Sequence, residues 1–310
     1  MKKFCLFIVL VTITFLANAK VLRVSNVSGS SAPYTNYSDA ERDAVDGDTI
    51  MFEGSATPYC AERDTLRINK RVTIKGPGYF LVSNEISNEN GAVAEFSHIR
   101  LSVDGITISG VVANKMLIAT SNNVVVRNHI GDVIFGYNTT KNVIHQNYIR
   151  RGLGLFTSYP KDDAILPSYI QITNNIFTGS SRFEYIDYAT IKNNTFTTSR
   201  ANTFGCFCVS NTTYENNLGS GFAFDENNGC ICLNNLKLDD VSPYAGFSTD
   251  NDVYEIDINV NGGIYGAFAG EDPYVLSGVP VGPIIEDIEL PASVERGKDL
   301  NVNVKIGISQ

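Results

Sequence analysis

The chain has 310 residues, 43% hydrophobic and 18% charged, with 26 glycines, 15 tyrosines, 17 phenylalanines and no tryptophan. That is enough sequence for a large core, and the composition is neither disordered nor helix-rich. A net charge of −9 with a pI near 4.9 excludes generic affinity for nucleic acid or anionic membranes, which requires clustered Lys and Arg, and the 3 histidines argue against a His-based metal or triad enzyme.

Residues 1–19 read as an export signal. Lys2 and Lys3 form the positive start, residues 4–16 an apolar run, and Ala17-Asn18-Ala19 the small-x-small cleavage pattern. The run is shorter than the roughly 20 residues needed to span a bilayer, so cleavage after Ala19 is expected, leaving 291 residues with a net charge of −11. The expected product is secreted (extracellular, periplasmic or on the cell surface), with no membrane span.

Residues 38–52 read as a cap. Ser38 or Asp39 can N-cap a short helix, Ala40 with Ala44 or Val45 gives it an apolar side, and Gly47 ends it before a strand at 49–52. The middle of the chain then repeats a β-rich stretch ending in Asn, usually doubled, at Asn128, Asn147, Asn175, Asn194, Asn217 and Asn235. The intervals are 19, 28, 19, 23 and 18 residues, and the longest contains an insertion at 157–168. Upstream, Gly76 and Gly105 stand where later copies place Asn, and both residue types tolerate left-handed backbone angles.

A period near 20 with short strands fits an all-β fold, a right-handed parallel β-helix in which each turn bonds to the turns above and below. Val125, Ile144, Ile172, Ile191, Tyr214 and Cys232, three residues before each Asn, should stack inside; Ile130, Ile149, Phe177 and Phe196, two residues after, form a second inward column. The six asparagines should form a ladder at a turn. The β-helix with its cap is expected over 20–261. A capping tract follows over 262–310, in which 262–283 is a covering loop and Leu300, Val302, Val304 and Ile306 share one face of a terminal β segment packed on the coil.

The run DGDTIMFEG from Asp46, KRVTIKGPGYFL from Lys70, the Asn-ended coils and GAFAGEDPYVLSGVPVGP from Gly266 together resemble secreted bacterial right-handed parallel β-helix repeat proteins, a group mostly without an assigned reaction. The fold is shared with pectate lyases and polygalacturonases, so the resemblance implies extracellular polysaccharide as the ligand class. Fold alone does not fix function.

The polygalacturonase signature of Asn-Thr-Asp, Asp-Asp, Gly-His-Gly and Arg-Ile-Lys is incomplete. Asp162-Asp163 and Asp239-Asp240 are present, but none of His98, His129 and His145 is flanked by glycine on both sides. A lyase would need carboxylates converging on calcium and a nearby Arg or Lys as base. Arg151, Arg182 and Arg200 lie four, seven and six residues past their Asn and could cluster on three successive coils. Glu184 and Asp187 follow somewhat later, as do Asp225 and Glu226, with Asp162 and Asp163 on the insertion. Tyr159 and Tyr169 flank the insertion and could stack on sugar rings, or pack under the loop. The alternative for all these charges is a solvated face, and His145 reads as an ordinary surface residue.

Five cysteines remain after cleavage: Cys60, Cys206, Cys208, Cys230 and Cys232. Register puts the two Cys-x-Cys units on different sides of the coil, against a four-cysteine metal site; buried thiols are the first reading and one disulfide the next. The sequence therefore points to a secreted, monomeric β-helix that contacts polysaccharide through Arg151, Arg182, Arg200, Tyr159, Asp162, Asp163, Glu184 and Asp187. No cofactor or metal is expected unless it is a calcium-dependent lyase. A polysaccharide lyase or glycoside hydrolase, and a structural or adhesive solenoid, are the alternatives.

Overall fold

A computed structural model describes residues 19–60, 64–81, 92–155, 165–178, 182–197, 205–207, 209–219, 228–238, 264–276, 278–289 and 302–308. It is a parallel β-helix. Ten strands stack in parallel as one sheet, running from Val21–Val24 and Thr49–Phe52 through Thr73–Lys75, Thr107–Ser109, Val124–Val126, Val143–His145, Gln171–Thr173, Thr190–Lys192 and Thr213–Glu215 to Ile231–Leu233. An 11-stranded second sheet forms the opposite wall, nine strands in line from Thr65–Ile68 to Leu236–Lys237, with Arg182–Glu184 and Gly205–Phe207 beside that path. Single parallel bridges joining Thr140, Ser168, Asp187 and Ser210 mark a third, narrow side.

The middle residue of each three-residue strand points inward, because side chains alternate across a sheet. Val125, Ile144, Ile172, Ile191 and Tyr214 are in register and buried, with Cys232 partly buried at the end of the row. Ile130, Ile149, Phe177 and Phe196 are buried on the second sheet, and the rings of Phe177 and Phe196 stack with centroids 5.0 Å apart. Stacking like on like is what an in-register parallel coil imposes, since each inward position faces its own equivalent one strand spacing away.

The asparagine ladder is continuous. The side-chain oxygens of Asn147, Asn175, Asn194, Asn217 and Asn235 accept from the backbone N–H of Asn128, Asn147, Asn175, Asn194 and Asn217 in turn, at 2.8–3.0 Å. The side-chain NH2 groups of Asn128, Asn147, Asn175 and Asn194 span to carbonyls of their own and the preceding coil, as Asn175 does to Thr173 and Ile144, and those of Asn217 and Asn235 reach the preceding coil. Buried backbone groups at the corner are thereby satisfied where no sheet can reach them. Asn123 and Asn142 form a second, shorter ladder at the other end of the first sheet's strands, which the sequence reading missed.

The left-handed backbone is not at the ladder. It lies one residue earlier, at Arg127, Gln146, Asn174, Asn193, Asn216 and Asn234, all with φ between 51° and 55°. Gly76 follows its strand by one residue and so aligns with Arg127, but its φ is not positive, and Gly110 (φ 70°) is the left-handed glycine at that position; Gly105 precedes its strand by two and belongs to a different corner. That second corner contains Gly47, Gly105, Asn122, Lys141, Tyr169, Tyr188, Asn211 and Gly229, again all with positive φ. The doubled Asn thus divides the work: the first residue turns the chain and the second bonds to the neighbouring coil.

At the N-terminal end a helix over Tyr37–Asp43 buries Tyr37 and Ala40 against the first coil, and the Tyr37 ring stacks on Phe52. Its N-cap is Asn36, whose side-chain oxygen accepts from the Asp39 N–H at 3.0 Å, not Ser38 or Asp39. The helix stops at Asp43, with Ala44 as C-cap, rather than at Gly47, because Gly47 is already the first member of the left-handed corner. At the other end, Pro283–Glu289 and Asn303–Ile308 pair antiparallel as a separate two-stranded sheet. Val302, Val304 and Ile306 are exposed rather than packed on the coil, and the two strands pair with each other and add to neither long sheet. Leu300 lies outside the described residues.

Candidate polysaccharide site

The outer face of the ten-stranded sheet is built by the first and third residues of each strand. Along it run Thr49, Thr73 and Thr107, then Lys75, Ser109, His145 and Thr173. Residues 264–276 and 278–282 lie over one corner of this sheet as a strap running back along the solenoid. Gly266 N–H donates to the Asn216 carbonyl, the Asn174 side chain donates to Ala267 and Ala269, Arg127 to the Val279 carbonyl, and Lys75 to that of Val281. Four of the left-handed residues, Arg127, Gln146, Asn174 and Asn193, therefore have a second role: their side chains leave the coil and hold the strap.

The strap is also held by aromatic packing. The Tyr79 and Tyr274 hydroxyls are 2.6 Å apart, and burial pushes the Tyr79 pKa well above its ordinary value. His129 lies among Tyr79, Phe80 and Tyr148. Burial, helped by the charge of Arg150, pushes its pKa down to about 3, and its Nε2 is buried without a hydrogen-bond partner among the described residues. His129 is accordingly a neutral ring serving as packing.

Two clefts open between the strap and the sheet. One, about 260 Å³, is lined by Lys75, Thr107, Ser109, Arg127, His145 and Asp272. The other, about 360 Å³, is lined by Val21, Thr49, Met51 and Pro77 among others. They share Lys75, Pro280 and Val281, so together they form one groove along the axis. It crosses six strands, about 24 Å at the usual strand spacing. Within it, His145 bridges Thr173 Oγ1 at 2.8 Å through Nδ1 and Asp272 Oδ2 at 2.9 Å through Nε2, and Gln146 donates to the other Asp272 oxygen. His145 is thus a strap anchor rather than an ordinary surface residue. Burial lowers the Arg127 pKa while Asp272 opposes that shift.

On the next two coils, at the far corner of the same sheet, Tyr169 and Tyr188 stack with centroids 5.2 Å apart and planes 11° from parallel. They are 57% and 48% exposed, and both are held at left-handed φ, 54° and 49°. Tyr169 is exposed, and the part of the insertion at 157–164 that precedes it lies outside the described residues.

The candidate residues read from the sequence divide. Arg151 is exposed, donating to Asp132 at 2.9 Å and to the Asn114 side chain at 2.7 Å. Arg182 and Glu184 lie on a strand pairing with that of Arg151, in register at Leu153 with Phe183 and Gly154 with Glu184. Asp187 does not join them. It lies on the third side, where its Oδ1 accepts from Ser210, Asn211 and the Tyr188 N–H, so it serves the corner carrying the tyrosines. Arg200, Tyr159, Asp162 and Asp163, with Asp225, Glu226 and Asp239-Asp240, lie outside the described residues. Cys206 is on the second sheet and Cys232 on the first, while Cys60 and Cys230 have free thiols; Cys208 lies outside the described residues. Among the described residues no group of three or more His, Cys, Asp or Glu is placed to hold a metal ion.

The strap groove was missed because its walls are about 130 residues apart in sequence, His145 against Asp272. No protein-family model matches the chain, and no curated protein matches it significantly.

Proposed function

We propose that this is an exported β-helix protein that holds extracellular polysaccharide along the outer face of its ten-stranded sheet. The observation that carries this reading is the exposed Tyr169–Tyr188 stack on strained backbone. Tyrosine at positive φ is uncommon, and the other described members of that corner with positive φ are Gly, Asn and one Lys. Strain of this kind persists where it serves a site, and exposed aromatic rings stack on the apolar C–H faces of pyranose sugars. The strap groove on the preceding coils supports a polymeric ligand, since it runs along the axis and combines hydroxyl groups, cations and apolar walls.

The test is retention of the purified protein on cellulose, xylan and polygalacturonate, with wild type compared against Tyr169→Asn/Tyr188→Asn and Tyr169→Phe/Tyr188→Phe. Retention of wild type on at least one polymer, weakened about tenfold in the Asn pair (about 1.4 kcal/mol, the order of an aromatic contact) and kept in the Phe pair, is expected. A wild type that passes every polymer unretained would refute the reading. Release of unsaturated products would instead favour the lyase alternative.

A further inference from the structure

Asp48 is fully buried, with 0% exposure, at the residue immediately before the strand Thr49–Phe52. One carboxylate oxygen accepts from the backbone N–H of Lys20 at 2.7 Å and the other from that of Val45 at 2.8 Å. In later coils the equivalent position, just before the strand, is occupied by Asn123 and Asn142, which accept the same bond from the preceding coil's backbone, Ile106 N–H and Asn123 N–H. A neutral amide is sufficient there. In the first coil alone of these three, the acceptor carries a charge.

A buried carboxylate that lacks a directly bonded cation is costly. Asp48 forms none of the ion pairs seen among the described residues: the charges of Lys20 and Lys70 act on it only through space, and Lys70 directs its ammonium to the carbonyls of Arg42 and Ala44. Its donor Lys20, however, is the residue that follows the Ala17-Asn18-Ala19 pattern. We infer that the chain is cut between Ala19 and Lys20, and that Asp48 is the buried receptor for the α-ammonium group this creates. The chemistry is peptide hydrolysis by an export signal peptidase: water adds hydroxyl to the Ala19 carbonyl carbon and a proton to the Lys20 nitrogen, which takes a further proton at neutral pH. The Lys20–Asp48 hydrogen bond then becomes an ion pair at the corner where the first strand enters the coil. The two backbone N–H donors already hold the Asp48 pKa below the usual carboxylate range, so the partner is ionised when the amine arrives. Maturation thereby fastens the first strand, independently of any polysaccharide.

The full chain is expressed with export and the product's intact mass measured; it should begin at Lys20. A second full chain carries Gly-Ser inserted between Ala19 and Lys20, so that the same cut leaves the Lys20 nitrogen an amide. Its melting temperature should fall by several degrees in the wild-type background and remain level in the Asp48→Asn background. The α-amine of the mature protein should also react with an acylating reagent at least tenfold more slowly than that of the extended chain, a readout that holds if Asp48→Asn does not fold. A product starting elsewhere, an equal loss in both backgrounds, or equal amine reactivity would overturn the inference.

Discussion

Gly278 sits directly against the ring of Tyr79: a Cβ on Gly278 would overlap the ring edge, and the residue's φ is +57°. Only glycine permits both the close approach and the backbone angle. Gly278→Ala is therefore expected to lift the strap off the coil rather than to disturb the coil itself. The expected cost is about 1 to 3 kcal/mol, with faster proteolysis inside 264–282 and little change in the far-ultraviolet circular dichroism of the stacked strands.

Asn175 links three coils. Its side-chain oxygen accepts from Asn147 N–H, and its NH2 donates to Ile144, Thr173 and Asn194. Asn175→Ala strands buried donors and acceptors on both neighbours, and a loss of about 2 to 4 kcal/mol is expected by chemical denaturation, since each orphaned group costs about 1 to 3 kcal/mol. Asn174→Ala tests the other half of the pair. It should cost strain at φ 53° together with the two bonds to the strap carbonyls of Ala267 and Ala269. Equal resistance of both variants and wild type to denaturant would remove the division of labour between the paired asparagines.

These two positions also show how far the sequence could be read. The period, the inward columns and the ladder were legible because every coil repeats the same local problem: an apolar centre, then a turn, then an amide that reaches the next coil. Which Asn of a pair turns the chain was not legible, because both residues tolerate the turn and only the backbone angles separate them. The strap was legible as a covering tract but not as a groove wall, since Gln146 with Asp272 and Arg127 with Val279 are contacts between distant segments. The tyrosine corner was half legible. Tyr169 was singled out by its place beside the insertion, but Tyr188 emerges as its partner only once register aligns their strands at Gln171 with Thr190.

The neutral His129 makes stability depend on pH. In the unfolded chain an imidazole takes its proton near pH 6.5, whereas in the folded protein burial holds the value at about 3. The folded pKa is depressed, so this contribution is fully present above pH 6.5 and is lost as pH falls from there toward 3, where the unfolded state binds the proton and the folded state does not. The slope from this group is at most about 1.4 kcal/mol per pH unit. Between pH 7 and pH 4 the denaturation midpoint of wild type should fall relative to that of His129→Phe, the variant showing the flatter profile. Parallel profiles would mean that His129 is not held neutral.

The last prediction separates the tyrosine corner's cost from its use. Tyr169 and Tyr188 occupy a corner position where Asn211, on the coil after Tyr188, and Asn122, two coils before Tyr169, adopt the same left-handed backbone. Asn relieves that strain through its short polar side chain, at about 1 kcal/mol per residue, while removing the stacked pair forfeits about 0.5 to 1.5 kcal/mol of ring contact. Tyr169→Asn/Tyr188→Asn is therefore expected to be about 0.5 to 1.5 kcal/mol more stable than wild type. A corner kept for packing alone would give the opposite sign, with the double variant melting lower and the Phe pair unchanged. The decisive result is the combination: a protein that resists denaturant at least as well as wild type yet is retained about tenfold less on polysaccharide carries its tyrosines for binding, against the preference of its own backbone.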